Sequence, residues 1–323
     1  MLQTINQRLE KKMPYLTPTS VIVGLVLADV LHSWVVIVPW IFAFITLSSS
    51  IGVKVEKLKQ ALLHPGPIFL SLFIIQVVMP CIAFGVGHLF FAADPLTIVG
   101  LIIAFIIPTG VISLMWVSIY KGNASVTLVI VLVNTLLSPL FIPLSLHLFV
   151  GASVDFDIFS LMRNLVLMIV VPSLFGILLN YLPFTKNKDV KSKFAPFSKV
   201  GLMFVIAINS SVAAPVMTFD WNMFRIVIAV FFLASLGYVL GVVAGKMLKL
   251  DSDVIISLLF NNGMRNISVG ATIAILYFPP QVSVPVVAGT LFQQVLAANY
   301  GRILSTYLKK EENEKKKELK MVH

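Results

Sequence analysis

Two short stretches carry the groups able to do chemistry in this chain. One is Pro108-Thr109-Gly110, followed by Ser113, and the other is Asn261-Asn262-Gly263-Met264-Arg265-Asn266. Both lie inside long apolar segments. Arg265 has about 12 residues of apolar chain on either side, roughly 18 Å of helix at 1.5 Å per residue. A side chain cannot snorkel that far. Facing lipid there would cost about 2.5–3.5 kcal/mol, so the guanidinium must face a polar interior. A fixed cation without a fixed carboxylate is chemistry for holding an anion. Thr109, Ser113, Asn262 and Asn266 offer neutral hydrogen bonds beside it, and Gln293 and Gln294 offer two further amides. No Asp, Glu or His falls at mid-depth in any apolar segment, so neither a proton relay nor a carboxylate pair is available. No nucleotide-binding loop is present either. The single cysteine, Cys81, rules out a disulfide framework and multi-cysteine metal sites. The chain is not read as an enzyme.

The elements that must position these residues follow from composition. The 323 residues are 58% hydrophobic and 12% charged, with a mean hydropathy of +0.97. A soluble domain carries about a quarter charged residues, so a soluble fold is excluded. Segments apolar throughout, rather than alternating, exclude a barrel as well. Ten spans are expected, at residues 17–33, 35–53, 67–91, 95–120, 124–150, 157–182, 196–217, 221–248, 253–278 and 282–308. All but three of the 24 basic residues, Arg163, Arg225 and Arg265, fall at alternate ends of these spans or in the terminal segments. The opposite loops hold Asp94, Asp155, Asp157 and Asp220. Positive charge marks the cytoplasmic side, which places both termini there, in the inner (plasma) membrane. The net charge of +10 is thereby assigned to topology, and no nucleic-acid partner is implied. Arg163 and Arg225 lie near outer ends and are expected to snorkel. Leu2, Ile5 and Leu9, beside Arg8, Lys11 and Lys12, suit a short helix lying on the membrane surface. The segment 309–323 reads as a charged, solvated tail without a fold of its own.

Five spans per half give two inverted repeats, at 1–155 and 156–308, because five is odd. Phe44–Ile51 in the second span resembles Val205–Val212 in the seventh. Pro108 and Gly110 sit near the midpoint of the fourth span, as the Asn261–Asn266 stretch does in the ninth. Proline removes a backbone donor and glycine tolerates unwound dihedrals. Both spans are therefore expected to be discontinuous at mid-membrane, the arrangement in which transporters place their sites. Asn266, Asn262, Gln76, Gln293 and Gln294 are expected to form a polar network around the crossing. The guanidinium of Arg265 is expected to bond carbonyls freed near Pro108.

Gln76-Val77-Val78-Met79-Pro80, the run from Pro108 through Lys121-Gly122-Asn123 to Ser138-Pro139, and Gly263-Met264-Arg265-Asn266 together resemble the bile acid:sodium symporter family. The resemblance implies an all-α polytopic protein of ten transmembrane helices. Spans three to five and eight to ten would form a core domain and spans one, two, six and seven a panel. Spans four and nine would cross at their unwound centres. It implies alternating access with substrate between panel and core, and substrates such as bile acids, pantoate-like acids or keto acids. It also assigns Gln76, Ser113, Leu114, Thr127, Val131, Asn261, Met264 and Arg265 to the positions of two sodium sites. Here the chain departs from the pattern. Asn261 stands for a glutamate shared by both sites, Arg265 for a glutamine, Leu114 for an asparagine and Val131 for a hydroxyl residue.

The reading that follows is a secondary carrier of a small organic anion that works without two-sodium coupling, Arg265 standing in for the ion. Two alternatives stay open: a sodium symporter with a rearranged site, and a membrane sensor or channel that has lost transport. The short segment after Leu308 disfavours the sensor. Partners are the organic anion and the bilayer. No cofactor and no obligatory protein partner is implied.

Overall fold

The computed structural model describes residues 2–51, 65–151, 157–181, 190–218 and 220–321. Among these the secondary structure is helical apart from a single β-bridge. Seven helices are long and apolar enough to cross a membrane, and three shorter apolar helices accompany them. The protein is therefore a polytopic membrane protein. Large apolar side chains point outward, with Trp40 at 77%, Leu148 at 75% and Phe159 at 82% exposure. Lipid, unlike water, imposes no cost on them.

In chain order the helices are α1 (Leu2–Val26), α2 (Ala28–Ser50), α3 (Pro65–Phe91), α4 (Pro95–Ile106), α5 (Ser113–Ile119) and α6 (Ala124–Val150). Then come α7 (Ile158–Leu179), α8 (Val190–Ala213), α9 (Trp221–Met247), α10 (Ser252–Gly263), α11 (Ile267–Tyr277) and α12 (Ser283–Met321). Asp94, Asn123, Asp157 and Asp220 each accept a backbone N–H from the first turn of α4, α6, α7 and α9. Such caps satisfy donors that have no partner within the helix. They fix where the helices begin, and so set the height of α4 and α9 in the membrane.

Two expectations about the ends need correction, and one residue there gains partners. The N-terminal segment is not a separate surface helix, because α1 runs unbroken from Leu2 to Val26. The tail does not lose structure at Leu308, since α12 continues to Met321. Lys246 of α9 supports that extension, lying 3.4 Å over the Tyr307 ring and 3.9 Å from the Glu311 carboxylate. Arg225 does more than reach for the interface. It donates to the Phe90 carbonyl and lies 5.0 Å from the Phe91 ring centroid, which ties α9 to the end of α3. Of the expected loops, residues 52–64, 152–156 and 182–189 lie outside the described residues, and Asp155 and the basic residues there go with them.

The helices pack in two groups. In one, α8 lies against α1 and α2, and α2 against α7. In the other, α9 packs on α10 and α12, α3 on α4, and α12 on both α4 and α11. The groups meet where α8 faces α11 and α12, where α1 faces α12, and where α7 faces α6. Contact within the second group depends on glycine. A Cβ at Gly237 would lie 2.6 Å from the Asn262 carbonyl oxygen, and one at Gly241 would lie 2.4 Å from that of Leu258. With Gly245 one turn further on, these residues form a smooth stripe on which α10 lies backbone to backbone. Small residues permit this approach in a bilayer, where apolar burial gives helices no preference for each other over lipid.

Candidate functional site

Both helical breaks occur at the flagged stretches. Between α4 and α5 the chain leaves helix at residues 107–112, with Ile107 extended at ψ 150°. Between α10 and α11 it leaves helix at residues 264–266, with Met264 at φ −102° and ψ 123°. The two extended pieces run antiparallel and pair as a minimal ladder, Thr109 opposite Arg265. Gly110 N–H donates to the Met264 carbonyl at 3.1 Å, and Asn266 N–H donates to the Pro108 carbonyl at 2.8 Å. Thr109 Oγ1 adds a bond of 2.9 Å to the Met264 carbonyl. Backbone groups freed by the breaks thus satisfy one another, as an interior without water requires. Gly110 is needed for the approach, since a Cβ there would sit 3.0 Å from the Arg265 carbonyl oxygen.

This pairing corrects the expectation for Arg265. The carbonyls it was to bond are taken by main-chain donors. Its side chain is only 4% exposed, and both terminal nitrogens, Nη1 and Nη2, are buried without a partner. The hydroxyl of Tyr238 in α9 donates to the Gln293 carbonyl at 3.1 Å. The backbone N–H of Arg265 is held by Gln293 Oε1 at 3.0 Å. The backbone at Arg265 is fixed from two sides while its charged end is left unmatched.

Four of the positions that the resemblance assigned to sodium divide between two clusters. Ser113 Oγ donates to Asn261 Oδ1 at 3.4 Å. Asn261 Nδ2 donates to Thr127 Oγ1 at 3.1 Å and to the Ser257 carbonyl at 2.8 Å. α5, α6 and α10 therefore bring Ser113, Thr127 and Asn261 together as neutral groups bonded to each other. Gln76 sits instead in a π-helical turn of α3, Ile74–Val78, and donates to Asn134 Oδ1 of α6 at 2.5 Å. Gln76 Oε1 and Asn134 Nδ2 are buried without partners. Leu114 and Val131 contribute no oxygen. Among the described residues no group of three His, Cys, Asp or Glu could hold a metal ion. The donor set is uncharged, and the one charge nearby is positive.

The expected amide network is not connected. Asn262 Oδ1 accepts from Ser71 Oγ at 3.1 Å, and Gln294 Oε1 accepts from Trp116 Nε1 at 2.9 Å. Asn266 makes no side-chain cap bond to α11. Each amide serves a local joint, because the carbonyls and hydroxyls within reach differ from helix to helix. Three participants were missed from the sequence: Asn134, Tyr238 and the glycine stripe on α9. The ring of Tyr238 lies over Gly263, where a Cβ would come within 2.2 Å of it. The i, i+4, i+8 spacing of Gly237, Gly241 and Gly245 was a legible signal. Asn134 and Tyr238 carried none.

Residues 39–218 match the model of the Sodium Bile acid symporter family. The chain belongs to that family. Its resemblance to "Uncharacterized protein YbaS" of Bacillus subtilis is 49% identity over 297 residues, 91% of this chain and 97% of that one. A more distant relative, "Uncharacterized sodium-dependent transporter YocS" of the same organism, is 25% identical over 288 residues, 85% of this chain and 86% of that one. This sodium bile acid symporter family member is thus a membrane transporter.

Proposed function

We propose that this transporter moves a small organic anion across the inner (plasma) membrane by alternating access, without coupling to two sodium ions. The observation that carries the reading is the buried guanidinium of Arg265, set at the joint of two broken helices with no partner on either terminal nitrogen. A planar fork of donors without a counter-charge fits a carboxylate in two-pronged fashion. The amino end of α11 adds positive potential beside it. Thr109, Gly110, Ser113, Asn261, Asn262, Gly263, Arg265, Asn266, Gln293 and Gln294 make up the crossing and its surroundings.

Ten spans in two inverted five-helix repeats, 1–155 and 156–308, account for the helices. α4 with α5, and α10 with α11, would each make one discontinuous span, and both termini would be cytoplasmic. The group containing α1, α2, α7 and α8 would be the panel, and the remaining helices the core. The neutral cluster of Ser113, Asn261 and Thr127 and the charge of Arg265 argue against a sodium ion there, since a hard cation wants several oxygens, including charged ones. In this reading the tethered charge takes the ion's electrostatic part, while the main-chain ladder ties the helices together. The name of the YocS relative keeps a second reading in view, a sodium symporter with a rearranged site.

Flux of carboxylates into proteoliposomes, with external sodium replaced by choline, separates the two. Saturable uptake that is indifferent to sodium, and lost in Arg265→Gln, is the expected result. A large, saturable sodium dependence would overturn the proposal, and so would a preference for cationic substrates.

A further inference from the structure

The two helix groups also touch through polar side chains at the ends of α7 and α11. Pro279 forces the residue before it out of helix, and Phe278 is extended at φ −135° and ψ 162°, so Tyr277 is the last residue of α11. On α7, Ser160 and Asn164 stand one helical turn apart and share a face. Asn164 Nδ2 donates to the Tyr277 hydroxyl at 2.5 Å, and that hydroxyl makes a longer bond of 3.5 Å to the Ser160 carbonyl. The phenol oxygen of one group thus accepts from, and donates to, a single face of the other.

The place of this contact decides what it can do. Tyr277 lies just before the start of α12, at the end of the bundle away from Met321, and we call this the far end. Within α7, residues Ile158–Val170 pack on α6, whereas Val171–Leu179 pack on α2. α7 therefore meets the second group mainly with its far half. Apolar faces in a bilayer gain nothing by choosing each other over lipid, so a directional bond across the seam weighs on whether that seam is shut or parted. The bond also hangs on α11, which begins two residues after Arg265 and runs for 11 residues, about 16 Å of rigid helix.

We infer that Tyr277 and Asn164 form a latch that holds the two helix groups together at the far end and sets how much of the resting carrier is shut there. This rests on the alternating-access reading above and adds the residues that bias it. A contact made in one state alone shifts the balance by its own worth and no more. The latch is therefore a modest bias, which the carrier can overcome in every cycle.

The test labels a buried cysteine from each side of the membrane. Ser210 of α8 is 1% exposed and lines the seam between the groups beside Ile267 and Thr290. Ser210→Cys, made together with Cys81→Ala, should react only when the seam parts. The full chain is labelled with a membrane-impermeant maleimide in right-side-out and in inside-out vesicles. Tyr277→Phe removes the hydroxyl alone. It is expected to speed labelling from the far side about three- to tenfold, the worth of one hydrogen bond made in one state, without speeding it from the other side. Asn164→Leu should do the same, and the double variant no more than either single one. Faster labelling from both sides would mean that the contact only tightens packing, and would overturn the latch. Unchanged rates, with labelling possible from both sides, would overturn the latch and leave alternating access standing. Labelling from at most one side in every protein would take both readings down. Should Tyr277→Phe fail to reach the membrane, Asn164→Leu, at an exposed position, carries the same test.

Discussion

Replacing Arg265 with methionine should make the protein more stable and inactive at once. The guanidinium is 4% exposed with two unpartnered nitrogens. It forms no bond to the carbonyls of the breaks, which are held by Gly110 and Asn266 N–H. Each unmet buried donor costs about 1–3 kcal/mol, and exchanging a buried charge for an apolar chain of like volume gains about 1–4 kcal/mol. Because the ladder is main-chain, the substitution removes nothing that holds the crossing. We expect a gain of about 2–3 kcal/mol in anion-free buffer, which is about 5 °C in melting temperature for a chain of this size. A carboxylate at 100 times its Kd would stabilise the wild type by about 2.7 kcal/mol, and the variant not at all. The order of stabilities should therefore close up or cross as anion is added. Melting curves of both proteins in detergent, with and without a saturating carboxylate, make the comparison. A variant less stable than the wild type without anion would mean that the guanidinium holds the structure. A variant still stabilised by anion would mean that the charge does not recognise it.

Gly263→Ala should cost about 1–3 kcal/mol through overpacking, because its Cβ would fall 2.2 Å from a Tyr238 ring that is stacked on Tyr300 at 5.2 Å and cannot yield. Melting temperature measures the loss, and an unchanged value would refute the packing argument. Lys249, two residues past the end of α9, stands at φ 53°, where an L-residue carries about 1–2 kcal/mol of strain. Glycine would remove that strain at a cost of about 0.5–1 kcal/mol in unfolded-chain entropy, so Lys249→Gly should raise the melting temperature slightly. Asp220, outside the membrane, has its carboxyl held below 3.8 by the Met223 N–H and then by the Thr218 hydroxyl. A carboxyl with a lowered folded pKa contributes stability above its unfolded value, and that contribution fades as pH falls through the folded value. The melting temperature should therefore drop more below about pH 4 in the wild type than in Asp220→Asn, and equal slopes would count against the cap.

What was legible in the sequence depended on how local its cause is. Pro108 cannot continue a helix whatever surrounds it, and Arg265 at mid-depth must face protein whatever its partner. Membrane helices follow from composition alone, so the polytopic class was readable. Partners were another matter. Nothing in Asn261 says that its amide will meet Thr127, or in Gln76 that it will turn to Asn134. Those contacts join residues 134 and 58 apart in sequence and depend on how whole helices seat. The same holds for Arg265, whose expected carbonyls were within reach until main-chain donors competed for them. The ends were misread for a different reason. Charge and polarity at residues 2–13 and 309–321 argued for separate or unfolded segments, yet a helix already nucleated by apolar neighbours propagates into them residue by residue.

The two-rung ladder between residues 108–110 and 264–266 has a consequence for how such a carrier can diversify. Its bonds run from peptide to peptide, so the joint is indifferent to the side chains hung upon it, provided that Gly110 stays small. A lineage can then exchange the group at position 265, neutral amide or permanent cation, without re-engineering the hinge that carries it. Under the sodium-independent reading proposed above, the energy source of the carrier would be a replaceable fitting, and the crossing of the helices the chassis that outlasts it.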